Sequence, residues 1–233
     1  MSVRGALYVY WGNKYDDELA RSIASVEKLG LPVHVERLDG APGLWAKAGM
    51  YEYSPFDETV FLDTDTIVLE NLDFGFEMAR HHGVALAVAP ACYAKRFGEG
   101  FPADAIEYNT GVIFFSKVKR VSELFETWKS YSEDYPENDQ TSFARAIWEQ
   151  KFNPFVLPLN WNLRAHLDIR PIFGPIKVWH SRLPIPENIE SWNEANSLEF
   201  GKIHAKDGRV RVVGNGRKRG SLLRRILRRV GLV

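Results

Sequence analysis

The sequence predicts an α/β fold, a Rossmann-like mixed sheet flanked by helices. Short apolar runs alternate with segments of helical periodicity over the first two thirds of the chain. One of those runs, VFLDTDTIVLENLD at 60–73, breaks off in two acids, Asp63 and Asp65, and then resumes. Beyond about residue 152, prolines 154, 158, 171, 175, 184 and 186 cut the pattern into loops and short strands.

Taken in order, Ala6–Tyr10 reads as a buried strand. Asp16–Leu29 reads as a helix, with Leu19, Ile23 and Val26 on one face and Gly30 as its stop. PVHVERL, 32–38, alternates like a strand, and Ala46–Tyr53 reads as a helix ended by Pro55. Strands follow at 59–62, Val84–Ala89 and Gly111–Ser116, and helices at Ser122–Tyr131 and Asp139–Gln150. Residues 214–220, with three glycines, Asn215 and three basic residues, read as a linker. The expected organisation is therefore a domain over 1–213 and an appendage over 214–233.

With 233 residues, 45% of them hydrophobic, the chain has material for a substantial core. Cys92 is the one cysteine, so no internal disulfide framework exists and a reducing compartment is expected. The opening MSVRGALYVYWG is too short in its apolar run for a signal peptide, and no run reaches the ~20 apolar residues of a spanning helix. The formal net charge of zero hides an asymmetry: residues 217–233 hold seven arginines and lysines and no acid. At about 100° per residue, Leu222, Leu223, Ile226, Leu227 and Val230 fall on one side of a helix and Arg224, Arg225, Arg228 and Arg229 on the other. Such a basic amphipathic helix suits an anionic membrane surface; docking on the acidic remainder of the chain is the other reading. Nucleic acid is not expected, because no aromatic residues interleave with the bases.

In a strand, residues i and i+2 share a face. Asp63 and Asp65 can thus present two carboxylates to one point, where a hard divalent cation relieves their repulsion and keeps positions open for phosphate oxygens. Ligands in open α/β sheets sit beyond the carboxyl ends of strands, where this pair falls. A polar turn with solvated acids is the plainer account. The segment also fits the D-x-D-x-[TV] pattern of haloacid dehalogenase-like phosphatases, with Asp63 as nucleophile and Asp65 as general acid. That reading needs a second acidic pair after a later strand, and its candidate, Glu133–Asp134, has no apolar strand before it.

Over roughly residues 5–183 the chain resembles glycosyltransferase family 8 and its relatives with the GT-A fold, among them glycogenin and bacterial lipopolysaccharide galactosyltransferases. WAKAGMYEYSPFDETVFLDTDTIV is similar to the family's segment leading into its D-x-D. YNTGVIFFS is similar to its N-[ST]-G strand, NDQTSFARAI to its D-Q helix start, and LNWN to the loop that follows. WHSR places His180 where the family has its third metal ligand. The family then continues with a glycine and Lys-Pro-Trp, whereas this chain reads HSRLPIPENIESW. The phosphate-gripping lysine is absent, and Arg182 is the candidate replacement.

The resemblance implies transfer of a sugar from a nucleoside-diphosphate sugar, a UDP-sugar by family habit, to a glycan or lipid-linked acceptor with retention of configuration. It implies a hexosyltransferase-type enzyme with Asp63, Asp65 and His180 holding Mn2+ or Mg2+. Lys47, Thr64 and Arg182 become donor-binding candidates, with Tyr8 and Tyr10 near the nucleobase and Asn109 and Thr110 on sugar hydroxyls. Asp139 and Gln140 are the candidates beside the anomeric carbon, although Asp139 also suits a helix N-cap. Trp161 and Asn162 line the acceptor side or simply pack the loop. The implied setting is the cytoplasmic, inner face of a membrane, in polysaccharide synthesis. A protein of this fold that binds nucleotide sugar or glycan without turnover is the non-enzymatic alternative.

Overall fold

A computed structural model of the chain describes residues 3–90, 102, 104–132, 138–165, 171–195 and 200–214. The basic tail at 217–233, the pair Glu133–Asp134 and Cys92 lie outside the described residues. The chain divides into two compact units, Met1–Arg164 with Ile176–Arg182, and Ala165–Pro175 with Leu183–Val233.

The first unit opens with β1 (Arg4–Trp11), α1 (Asp16–Glu27) and β2 (Val33–Leu38). The expected helix at 46–53 is instead a 3-10 stretch, Leu44–Gly49, running into the single turn α2 (Met50–Tyr53). Gly49 lets the Tyr53 ring lie against the backbone there, since a Cβ would lie 2.5 Å from it. Then come β3 (Glu58–Leu62), β4 (Thr66–Val68), α3 (Asp73–His82), β5 (Val84–Val88) and β6 (Tyr108–Ser116). Helices α4 (Lys119–Ser132) and α5 (Asp139–Glu149) precede β7 (Phe155–Leu157). The sequence reading did not include α3, whose apolar residues directly continue the strand-like 60–73 segment.

Six strands form one sheet in the order β2-β1-β3-β6-β5-β7. β1 is parallel to β2 and β3, β5 is parallel to β7, and β6 runs antiparallel to both β3 and β5. The mixed sheet matches the expected class. Both faces are covered, so strand alternation feeds two cores. Tyr8, Val60, Leu62 and Phe114 face one core with Leu19, Val26 and Phe76. Leu7, Phe61, Ile113 and Phe115 face the other with Phe125, Trp128 and Phe143. The Trp128 and Phe143 rings pack 4.5 Å apart between α4 and α5. One acid inside this sheet is neutralised locally: Glu58 accepts from Arg80 at 2.7 Å and Arg4 at 2.6 Å.

The second unit holds β8 (Pro171–Phe173), and the chain returns to the first unit for β9 (Val178–His180). The second unit continues with α6 (Ile189–Glu194), β10 (Phe200–Lys206) and β11 (Arg209–Gly214). Its antiparallel sheet has the order β11-β10-β8. Asp207 and Gly208, at φ 52° and 75°, form the two-residue turn of the β10–β11 hairpin. Trp192 of α6 lies over Gly201, where a Cβ would sit 2.5 Å from its ring, and its Nε1–H donates to the Gly174 carbonyl at 3.1 Å. These short strands fall where the sequence offered only a proline-broken pattern.

Candidate active site

The acid pair does not lie within a strand. β3 ends at Leu62, and Asp63, Thr64 and Asp65 form the turn into β4. What brings the carboxylates together is therefore pairing with other strands, not strand periodicity. The Asp63 N–H donates to the Gly111 carbonyl of β6 at 2.8 Å. β4 pairs antiparallel with β9, with Thr66 opposite His180. The Ser181 N–H then donates to the Asp65 carbonyl at 3.1 Å. One ligand-type atom each from Asp63, Asp65 and His180 falls within 4.8 Å of the others.

The turn is anchored from beneath. The Thr66 hydroxyl donates to the Asp63 carbonyl at 2.7 Å and pairs with Ser22 at 2.9 Å; Ser22 in turn pairs with the Tyr8 hydroxyl at 2.8 Å. Tyr8 is fully buried and burial pushes its phenol well above the usual range. The structure thus does not bring Tyr8 to the surface of the site, where the resemblance put a nucleobase contact. Tyr10 is also buried, donating to Asp16 at 2.8 Å beneath the Arg37 guanidinium.

Lys47 links the acid turn to α5. Its ammonium lies 2.7 Å from Asp63 Oδ1 and 3.1 Å from Asp139 Oδ2. Burial works to discharge it, but the charges of Asp139 and Asp63 reverse this and hold it cationic. Asp139 also accepts from the Thr110 hydroxyl at 2.5 Å. It is not the helix cap: Asn138 is, accepting from the Thr141 N–H at 3.4 Å. Asp139 is thereby left aimed at the site, with half-buried Gln140 beside it. Thr110 and Asn109 alternate along β6, so Thr110 reaches Asp139 while Asn109 reaches the histidine side.

The His180 ring is 2% exposed. Nδ1 lies 2.7 Å from Asn162 Oδ1, and Nε2 lies 3.1 Å from Asp65 Oδ1 and 3.7 Å from Asp63 Oδ2. Arg164, which the sequence reading passed over, places Nη1 2.7 Å from Nε2 and 3.4 Å from Asp65 Oδ2. Burial would raise the Asp65 carboxyl; the His180 hydrogen bond and the charges of His180, Arg164 and Arg182 carry it well below the usual range instead. Arg182, the expected stand-in for the missing lysine, holds Glu18 at 3.0 Å and stacks over Tyr15. Trp161 packs against Phe114 and Phe74 in the core.

A divalent cation fits these residues. Two carboxylates, one of them held ionised, and an imidazole nitrogen converge on one point. Gly111 supplies the room: a Cβ there would lie 2.1 Å from His180 Cε1 and 2.7 Å from Asp63 Oδ2. The signal for Arg164 was missing because it lies in a loop with no periodicity. The LNWN loop did mark Asn162, but gave it a different neighbour.

No family model matches the sequence, and no curated protein is similar to it. Solved structures are similar in fold. An active-site mutant of LgtC superposes with a TM-score of 0.54 at 14% identity, over 82% of this chain and 94% of that one. The galactosyltransferase LgtC in complex with donor and acceptor sugar analogues gives 0.52 at 14% identity, over 77% and 87%. The glycosyltransferase GlyE of Streptococcus pneumoniae TIGR4 gives 0.49 at 18% identity over 70% of this chain, which spans 47% of the length of GlyE. The fold of this chain is that of GT-A glycosyltransferases.

Proposed function

We propose that this protein is a metal-dependent glycosyltransferase of the family 8 type. It moves a hexose from a nucleoside-diphosphate sugar, a UDP-sugar in the first instance, to a glycan or lipid-linked acceptor with retention of configuration. The observation that carries this reading is the convergence of Asp63, Asp65 and His180 beside the Lys47–Asp139 pair. Mn2+ or Mg2+ held by those three would neutralise the charge developing on the departing diphosphate. Lys47 and the Thr110 hydroxyl hold Asp139 in place, so that Asp139 and Gln140 can face the anomeric carbon. Arg164 and Arg182 supply the positive charge that the absent lysine would have given. The basic segment at 217–233 would hold the enzyme on the cytoplasmic face of a membrane, near a lipid-linked acceptor. No helix among the described residues is long and apolar enough to cross one.

A phosphatase with Asp63 as nucleophile is served less well, because Asp63 Oδ1 is already held by Lys47 and the third member of the cluster is a histidine. The test is a thermal-shift panel of nucleoside diphosphates and nucleotide sugars with manganese, magnesium or chelator. A ligand that binds only the folded state at 100 times its Kd stabilises by about 3 kcal/mol. One base should raise the melting temperature, only with metal, and Asp65→Asn should abolish the rise. No shift with any nucleotide sinks the proposal. Hydrolysis or transfer of the bound donor then separates an enzyme from a binding protein.

A further inference from the structure

We propose that Asn109 and Asn162 are positioning residues for the metal centre. They form a relay that starts at a backbone amide and dictates which nitrogen of His180 carries the proton. This rests on reading the acid pair as a metal site, and is independent of what is transferred there.

The chain of constraint runs one way. The Gly111 N–H can only donate, so the Asn109 atom 2.9 Å from it is the amide oxygen. That oxygen lies 2.9 Å from the side-chain amide of Asn162, which must present its NH2 group; the same group reaches the Asn109 carbonyl at 3.4 Å. The other end of the Asn162 amide is then its oxygen, 2.7 Å from His180 Nδ1. An amide oxygen can only accept, so Nδ1 carries hydrogen. Arg164 Nη1, 2.7 Å from Nε2, can only donate and so calls for a lone pair on that nitrogen. Asp65 Oδ1, 3.1 Å away, can only accept and competes for a hydrogen on the same nitrogen, so the Asn162 side decides: with the hydrogen on Nδ1, the lone pair of the neutral imidazole is on Nε2, facing Asp65 and Asp63. A metal takes histidine through such a lone pair.

Burial makes the relay decisive. Asn109, Asn162 and His180 are 4%, 2% and 2% exposed, so water does not substitute for a lost partner. Asn109, expected on a sugar hydroxyl, has its carboxamide oxygen shared between Gly111 and Asn162. A cation taken up at Nε2 would need the lone pair that Arg164 Nη1 now faces at 2.7 Å.

The test is the tautomer itself, read from long-range 1H–15N spectra of 15N-histidine-labelled, metal-free full-length protein. Spectra are taken at a pH above which the ring signals no longer move. His180 of the wild type should show Nδ1–H with Nε2 bare. Asn162→Leu and Asn109→Leu should lose that state, and their affinity for Mn2+ alone should fall about 10–100-fold. Asn109→Asp keeps an acceptor for both Gly111 and Asn162, and should retain the tautomer. A wild-type ring protonated on Nε2 overturns the proposal, even if every variant misfolds. So does an Asn162→Leu protein with unchanged tautomer and Mn2+ affinity. A wild type with Nδ1–H that turns over no sugar donor leaves the relay standing and removes only the transferase reading.

Discussion

Lys47→Met isolates the buried ion triad. The substitution keeps the unbranched stem and removes the charge. It leaves Asp139, 8% exposed, and Asp63, 22% exposed, without the ammonium that lies 3.1 and 2.7 Å from them. Removing one partner of a buried pair costs about 3–5 kcal/mol, because the other charge stays behind without solvent. Water reaches Asp63 and lessens its share, so the Asp139 arm dominates and we expect about 3 kcal/mol at pH 7.5. The pH dependence follows from the same charges. The folded-state pKa of Lys47 is raised above its ordinary 10.5. Its contribution is therefore complete below that value and is lost as pH rises through the folded one. The gap between wild type and variant should be flat up to about pH 10 and shrink only as Lys47 loses its proton above that. Urea unfolding followed by tryptophan fluorescence, with linear extrapolation, measures it. A gap under about 1 kcal/mol at pH 7.5, or one that widens as pH rises past 10.5, refutes the reasoning.

Gly111→Ala drives a methyl to 2.1 Å from His180 Cε1. Calorimetric titration should show Mn2+ affinity lowered about 10–100-fold, with about 1–3 kcal/mol lost to overpacking; unchanged affinity would contradict the cradle. Ser22→Ala strands the buried hydroxyl of Tyr8, while Thr66 keeps its bond to the Asp63 carbonyl, at about 1–3 kcal/mol in denaturant melts. Glu58, pulled down to about 2 from 4.5 chiefly by its bond to Arg80, stabilises fully above pH 4.5 and loses that as pH falls through 2. Since Arg80 is 48% exposed, the contribution should be about 1–2 kcal/mol; Glu58→Gln should match wild type only near pH 2.

The elements that periodicity reveals were legible: β1, α1, β3, β6, α4 and α5 lie within a few residues of their expected bounds. The helix α3 was hidden because its apolar residues follow those of β4 without a break. Asp63, Asp65 and His180 were named, but the reason given for the acids' convergence was a strand geometry that the turn does not have. Lys47 could be suspected; its partner Asp139 could not be paired with it, because nothing local connects residues so far apart. Asn138 took the cap that Asp139 was also fit to make. Asn162 and Arg164 lie in a stretch held by its neighbours, where local sequence carries no contact information.

Thr66 pairs with His180, and Asp63 with Gly111, across long separations in the chain. Loop closure of that length is a late and entropically costly event in folding. A nascent chain that has not yet been synthesised past residue 180 lacks the histidine of the Asp63–Asp65–His180 cluster altogether, however well β1 to β6 have formed. If the cluster holds a divalent cation, that competence arises only after β9 docks on β4, and uptake of such a cation during refolding would clock the moment at which this two-stranded ribbon closes.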